Sequence, residues 1–258
     1  MLHPGANAML FLAALAAGAV NAIAGGGTLI TFPALLAAGL LPVAANATST
    51  VALVPGSLAS LWSYRRELGG AGPLLWALAV PSVIGGVIGA LLVERAGDAL
   101  FGRIVPWLIL GATLLFVAQG WIRRRAAAAP SGDPSTGRRS RRSLAAICAY
   151  QLLVATYGGF FGAGMGILML AALGFIGLDN IHRMNGLKNL AAFCINGVAA
   201  VTFMIGGNVR WQQALVMAAG GMLGGLLGAR LALRVGQLAV RRAVTATGLV
   251  MGLYLLLR

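Results

Sequence analysis

The chain alternates apolar runs with short polar breaks. The runs cover about residues 8–24, 28–41, 44–64, 73–93, 99–121, 144–163, 165–177, 184–205, 211–232 and 237–257. A helix that crosses a bilayer needs about 20 apolar residues. The runs at 28–41 and 165–177 are too short to cross upright. Each follows a glycine cluster, Gly25-Gly26-Gly27 or Gly162-Ala163-Gly164. A glycine inside a helix costs about 1 kcal/mol relative to alanine, and a backbone break at membrane depth is tolerated only where it is buried in protein or lines a wet cavity. The pattern predicts an all-α polytopic membrane protein of about 8–10 membrane segments. Residues 8–41 and 144–177 are broken units, either hairpins or pairs of half-helices, and three full spans follow each.

The pattern also repeats. Ile84-Gly85-Gly86-Val87-Ile88-Gly89-Ala90 returns as Leu223-Gly224-Gly225-Leu226-Leu227-Gly228-Ala229, an offset of 139 residues from Gly85 to Gly224. The same offset carries Asn46 onto Asn185, Gly97 onto Gly236 and Arg103 onto Arg242. The glycine clusters match at 137, from Gly25 to Gly162, and the difference fits an insertion near Gly177-Leu178. A doubled apolar chain is the pattern of transporters whose paired repeats enclose a site near the bilayer midplane.

Only one clear boundary interrupts the pattern. Residues 122–143 carry Ala126–Ala129, Pro130, Ser131, Gly132, Asp133, Pro134 and seven arginines: Arg123, Arg124, Arg125, Arg138, Arg139, Arg141 and Arg142. This divides the chain into a first membrane repeat (1–121), a basic linker (122–143) and a second membrane repeat (144–258). Prolines Pro33, Pro42, Pro55, Pro81 and Pro106 punctuate the first repeat, and none follows residue 134.

The charges orient the chain. Basic loops favour the cytoplasmic face, so linker 122–143 is placed in the cytoplasm. Residues 94–103 and 206–210 then fall outside, and Arg65-Arg66-Glu67, Arg230, Arg234, Arg241 and Arg242 fall inside. Equivalent loops of the two repeats lie on opposite faces, which predicts an inverted repeat with both termini outside. The N-terminal residues Met1 to Asn7 have no positive run and no evident cleavage site, and read as the approach to the first membrane segment.

Composition narrows the class. Hydrophobic residues make up 59% of the chain and charged residues 9%, too little polar surface to cover a globule in water. A net charge of +14 would suggest nucleic acid in a soluble protein, but here the arginines sit between apolar runs and no nucleic-acid partner is expected. Cys148 and Cys194 lie in apolar runs and read as packing residues. No acidic pair lies within the membrane: Glu67, Glu94, Asp98, Asp133 and Asp179 all fall at segment ends, in loops or in the linker. This argues against a carboxylate-driven proton pump or a cation transporter with a buried acid. No phosphate-binding Gly-x-x-x-x-Gly-Lys-Ser/Thr loop is present. His3 and His182 form no metal spacing, and no nucleophile–base constellation marks an enzyme. No cofactor or metal is expected.

The candidate chemistry gathers beside the glycine breaks. The first repeat offers Asn21, Thr28, Thr31, Asn46, Thr48, Ser49 and Thr50, and the second offers Tyr157, Asn185, Lys188, Asn189 and Asn196. Helix ends opened at Gly25, Gly26 and Gly27, and at Gly162 and Gly164, offer backbone N–H groups suited to an anion. Close helix packing is the other use of such glycines. Lys188 is the only lysine among the 19 Lys and Arg residues, and an ionisable group in a membrane segment is by default a functional hypothesis. Three roles are open to it: an anion contact, a proton carrier, or a side chain snorkelling to the interface. Arg183 and His182, at the segment end, are expected to face headgroups.

These residues resemble the TauE/SafE sulfite-exporter family, also called toluene-sulfonate uptake permeases. The resemblance covers nearly the whole chain apart from the linker. Its strongest stretch is Asn21-Ala22-Ile23-Ala24-Gly25-Gly26-Gly27-Thr28 through Phe32-Pro33, then Gly39-Leu40 and Asn46-Ala47-Thr48-Ser49-Thr50. In the second repeat it runs over Gly158-Gly159-Phe160-Phe161-Gly162-Ala163-Gly164-Met165-Gly166 and Asn185-Gly186-Leu187-Lys188-Asn189. The middle of the second glycine cluster is alanine here. The resemblance implies an inner-membrane carrier of small sulfur-containing or organic anions, such as sulfite, sulfoacetate or other sulfonates.

The expectation is therefore a secondary transporter that moves a small anion by alternating access in the lipid bilayer. An anion channel and a non-transporting membrane assembly protein are the alternatives. Coupling to protons or a counter-ion, and a homo-oligomer, are left open. The substrate-binding candidates are Asn21, Gly25, Gly26, Gly27, Thr28, Asn46, Thr48, Ser49, Gly162, Gly164, Asn185, Lys188 and Asn189.

Overall fold

Helix α1 (Pro4–Ile23) is Ala-rich and apolar, and stops at the glycine cluster. The chain then reverses into the short helix α2 (Thr28–Ala37). The reversal is a hairpin, because Gly27 lies against α1: a β-carbon there would fall 2.6 Å from the carbonyl oxygen of Ala17. Helix α5 (Arg141–Phe160) and the short α6 (Met165–Phe175) repeat the motif. There the Tyr150 hydroxyl donates to the Leu168 carbonyl at 3.2 Å. Of the two forms left open for the broken units, both are hairpins.

These observations come from a computed structural model that describes residues 4–23, 25–69, 71–128, 141–176, 178, 180–231, 245–246, 248–250, 252–253 and 255–256. Among the described residues there is no strand.

Both short helices end in the same way. Gly39 takes a left-handed φ of 86°, and Leu40 N–H donates to the Leu35 carbonyl at 3.1 Å, a Schellman closure. The matching bond on α6 runs from Leu178 N–H to the Leu173 carbonyl, also at 3.1 Å. Helix α2 has 10 residues and α6 has 11. One of the two extra residues of the second repeat therefore lies within its hairpin, rather than both at Gly177-Leu178.

Helix α3 (Pro42–Ser63) starts with proline in its first turn. Asp98 Oδ1 accepts from the Val43 N–H at 2.8 Å and so caps it from a distant part of the chain. A short 3-10 turn (Arg65–Leu68) leads to α4 (Gly72–Ala128). The expected break at 94–103 is not a loop. Helical geometry continues through Glu94, Arg95 and Asp98, and the turn is confined to Gly97, with φ 65° and ψ 177°. Charge marked the place, but only glycine supplies the left-handed backbone. Helix α7 (Ile181–Ile205) is capped by Asn180, whose Oδ1 accepts from His182 N–H at 2.9 Å and Arg183 N–H at 3.1 Å. Helix α8 (Trp211–Leu231) follows. Helix α4 extends to Ala128 and α5 begins at Arg141, so helix enters both ends of the expected linker. Residues 129–140, and most of the expected segment 237–257, lie outside the described residues. Gly248 and Gly252 near the C-terminus pack on Thr113 and Leu110 of α4.

The glycine motif found at both 84–90 and 223–229 makes the two principal contacts, and each joins one half of the chain to the other. The first limb of α4 packs on α5 and α7. A β-carbon at Gly85 would fall 2.8 Å from the Leu152 carbonyl oxygen, and one at Gly86 would fall 2.9 Å from that of Ile195. Helix α8 packs on α1 and α3, where a β-carbon at Gly228 would lie 2.5 Å from Ala19 Cα and one at Gly225 would lie 2.5 Å from the Gly56 carbonyl oxygen. Small residues let the backbones meet. The outer surface is apolar: Trp76, Trp107, Leu114, Leu153 and Leu215 are more than half exposed. Gly5–Ala22, Leu74–Ala118 and Ile181–Ile205 are long and apolar enough to cross a membrane.

Candidate functional site

The two hairpin tips meet inside the bundle. Gly25, at φ 73°, touches Gly166, so a β-carbon on Gly25 would lie 2.6 Å from Gly166 Cα. Beside the α5–α6 tip, the Tyr157 hydroxyl donates to the Ala163 carbonyl at 2.5 Å. Neither α2 nor α6 has a side-chain hydrogen bond capping its N-terminus, and Gly164 precedes α6 at φ 77°.

Each tip is held by a side chain from the other half of the chain. Asn46, in the second turn of α3, donates through Nδ2 to the Phe160 carbonyl at 3.0 Å, at the end of α5. Lys188, in the second turn of α7, donates through Nζ to the carbonyls of Asn21 at 3.0 Å and Ala22 at 3.1 Å, at the end of α1. The last carbonyls of a helix have no partner within it and carry the negative end of the helix dipole, so a cation is favourable there. Lys188 is 1% exposed. It does not snorkel.

The remaining polar groups divide into satisfied and unsatisfied. The hydroxyls of Ser49 and Thr31 pair at 2.5 Å, and Thr31 also donates to the Gly27 carbonyl at 3.3 Å. Thr48 Oγ1 accepts from Arg210 N–H at 3.0 Å. Thr50 bonds back to the Asn46 carbonyl within α3. In contrast, Asn46 Oδ1, Asn185 Oδ1 and Asn189 Nδ2 are buried without a hydrogen-bond partner. Such groups are costly unless a ligand or water completes them. The two asparagines matched by the repeat, Asn46 and Asn185, thus share an unpaired oxygen.

The two ends of the bundle differ. Toward the end where α3 begins, Phe32, Phe101, Phe160 and Phe161 pack edge-to-face. The Phe32–Phe161 and Phe101–Phe160 ring centroids are 5.4 Å apart. Toward the end where α5 begins and α6 stops, a cavity of about 410 Å³ opens between α4, α5, α6 and α7. Lys188 lies in its wall with Gln151 and Tyr150. A second cavity of about 620 Å³, between α2, α3 and α4, is lined by Phe32, Leu36, Leu40, Val105 and other residues without a charged or amide side chain. Among the described residues no group of three His, Cys, Asp or Glu side chains gathers.

The family model described as Sulfite exporter TauE/SafE matches residues 10–255. The chain belongs to the TauE/SafE family. It is similar to a probable membrane transporter protein of Haemophilus influenzae, 31% identical over 256 residues that cover 95% of this chain and 92% of the relative. It is also similar to the probable membrane transporter protein YfcA of Escherichia coli K12, 30% identical over 99% of this chain and 91% of the relative. A probable membrane transporter protein of a Sinorhizobium species, ORF9, is 28% identical over 96% of this chain. The chain is thus a helical membrane protein of a transporter family.

In this TauE/SafE chain, the residues singled out by sequence reach the tips by different routes. Lys188, Asn46 and the Asn21 carbonyl form the caps, Gly25 forms the tip contact, and Asn185 and Asn189 are buried nearby on α7. Gly26 packs against the Phe116 ring and Gly27 against α1. Gly162, at φ 78°, lies near Thr28, the side-chain oxygen of which would be 3.8 Å from an added β-carbon. Of the candidates, Lys188 alone lines the 410 Å³ cavity. The other polar groups there were not singled out. Gln151 donates to Ser82 Oγ at 2.9 Å, and the only signal was an amide and a hydroxyl set in apolar runs.

Proposed function

We propose that this chain is a secondary transporter that carries a small anion, such as sulfite, a sulfonate or a related organic anion, across the cell's inner membrane by alternating access. The observation that carries the reading is Lys188, a basic side chain buried where the hairpin tips meet and placed in the wall of a cavity that opens toward the start of α5. Substrate contacts are assigned to Lys188, Asn185, Asn189 and the backbone at Gly25–Gly27 and at Gly162 and Gly164. Asn46, Asn21, Thr28, Thr48 and Ser49 shape the surrounding tips. The edge-to-face packing of Phe32 on Phe161 and of Phe101 on Phe160 favours a carrier over an open channel.

The repeats are assigned to residues 1–121 and 144–258, joined by a cytoplasmic linker at 122–143, with both termini outside. The contacts support an inverted arrangement. The tips of α1 and α5 meet, yet these two helices do not pack side by side, as expected of hairpins that enter from opposite faces. The cavity then opens toward the cytoplasm. Departure of an anion from a negative-inside cell is favoured by about 2.3 kcal/mol per charge per 100 mV. Export needs no coupling, whereas uptake requires protons or a counter-ion.

The test is flux of labelled sulfite and sulfonates into liposomes containing the purified chain. Saturable flux above empty liposomes is expected. Failure of every anion to move would end the transporter reading, and unsaturable flux at channel rates would replace the carrier with a pore.

A further inference from the structure

We propose that Glu94 and Asp98 are gating residues, which latch the end of the bundle where α3 begins and hold it shut. This rests on the alternating-access reading and assigns its closed outer end.

The latch starts at one turn. Gly97 turns α4 with φ 65° and ψ 177°, and a carboxylate lies on each side of it. After the turn, Asp98 Oδ1 accepts from the Val43 N–H of α3 at 2.8 Å. Before it, Glu94 Oε1 accepts from Asn208 Nδ2 at 3.4 Å, in the connection between α7 and α8. The same carboxylate lies over Gly206, where an added β-carbon would strike it. A third bond closes the ring. Thr48 Oγ1 of α3 accepts from the N–H of Arg210, the residue before α8, at 3.0 Å. Each of the three parts, α3, the α4 turn and the α7–α8 connection, is thus tied to the other two.

The ring is joined to the aromatic group. Phe101 stands four residues beyond Gly97 and is fully buried. Its ring centroid lies 5.4 Å from that of Phe160, and 6.4 Å from those of Phe32 and Phe161. Asn46 lies between Val43 and Thr48 on α3 and holds the Phe160 carbonyl. Moving α3 away from α4 therefore breaks the bond to Asp98 and pulls on the α5 tip together. Hydrogen bonds weaken steeply once misaligned, and packed interfaces switch between arrangements rather than stretch. The closure is either made or released as a unit.

The sequence does not repeat these groups. The 139-residue offset places Leu233, Gln237 and Val240 where Glu94, Asp98 and Phe101 stand, and Leu187 where Thr48 stands. The 137-residue offset places Met169 for Phe32, and sets Ile23 and Ala24 against Phe160 and Phe161. No carboxylate and no aromatic ring returns. In an inverted arrangement those positions belong to the opposite end, toward which the 410 Å³ cavity opens. Bonds made in only one of two states populate that state. The latch makes the inward-facing form the resting form, and opening to the outside requires its release.

The experiment measures opening by thiol labelling of the full-length chain with Cys148 and Cys194 replaced. Ala163→Cys, fully buried at the α5–α6 tip two residues after Phe161, reports the outer end in intact cells. Ala172→Cys, in the cavity wall, reports the inner end in inside-out vesicles. A membrane-impermeant maleimide is applied to each, and its rate follows the open fraction. Adding Asp98→Ala should speed labelling at residue 163 about tenfold, the equivalent of one hydrogen bond to a charged group, and make labelling at residue 172 no faster. Asp98→Asn keeps an acceptor for the Val43 N–H and should return most of the original rate. Asn208→Ala releases the longer arm, should speed labelling at residue 163 severalfold, and covers the case in which Asp98→Ala does not fold. Faster labelling at both positions would mark a loosened bundle and overturns the proposal. So do unchanged rates in Asp98→Ala and Asn208→Ala. Parallel flux separates the two readings. Faster outer labelling without flux of any anion keeps the latch and removes transport. Saturable flux with unchanged labelling removes the latch and keeps transport.

Discussion

Lys188 Nζ lies 3.0 Å from the carbonyl oxygen of Asn21, so the only lysine of the chain closes a helix that begins at its other end. The contact gives one side chain two tasks, because the group that would attract an anion also holds the α1 hairpin in place.

These tasks can be separated. Lys188→Met should abolish flux and lower stability by about 2 kcal/mol, since hydrogen bonds to a charged group are lost and two carbonyls are left bare. Lys188→Arg keeps the cation and should recover part of both, although its planar head fits the paired carbonyls differently. Thermal unfolding and flux are the readouts. Flux in Lys188→Arg that no longer follows a pH gradient would identify Lys188 as the proton carrier, because arginine stays protonated. Wild-type flux and affinity in Lys188→Met would remove it from the site.

Asn46 is the neutral counterpart. Asn46→Ala removes the hydrogen bond to the Phe160 carbonyl and should cost about 1 kcal/mol, less than Lys188→Met. A larger loss for Asn46→Ala would show that the α5 tip, and not the α1 tip, carries the critical cap.

Gly26 tests binding against packing. A side chain at residue 26 meets the Phe116 ring, so Gly26→Leu should insert poorly and fail to transport. Gly26→Ala combined with Phe116→Ala removes the clash. The double variant should regain much of the thermal stability yet remain deficient in flux, as expected if the backbone approaches the anion. Recovery of flux together with stability would make Gly26 a packing residue alone.

Topology has an independent test. With Cys148 and Cys194 replaced, single cysteines at Ser135 and Arg258 should be labelled from opposite faces by a membrane-impermeant reagent. Labelling from the same face would overturn the inverted arrangement.

Much of this was legible in the pattern of residues, and the gaps have physical reasons. Short apolar runs after glycine clusters identified α2 and α6, but composition does not tell a turned chain from a continued one. The contacts of Gly27 with Ala17 and of Tyr150 with Leu168 decide it. Lys188 stood out as a charge in an apolar run, but its partners are backbone carbonyls, which every residue has. The charges around Glu94 and Asp98 suggested a loop where one glycine suffices to turn the helix. The cavity was invisible because Met169, Leu173 and Ile176 look like any buried helix face until a missing neighbour leaves space beside them.

The exchange of glycine faces between the two halves of the chain has a consequence for how it folds. A gene divided between Ala128 and Arg141 would encode two polypeptides that each lack the surface their own motif was shaped to meet. Gly85 and Gly86 would have no α5 or α7, and Gly225 and Gly228 would have no α1 or α3. Neither fragment alone should reach a native state, whereas coexpressed fragments should reassemble. During synthesis, α1, α3 and the first limb of α4 must wait in the bilayer with their small-residue faces open until their partners emerge.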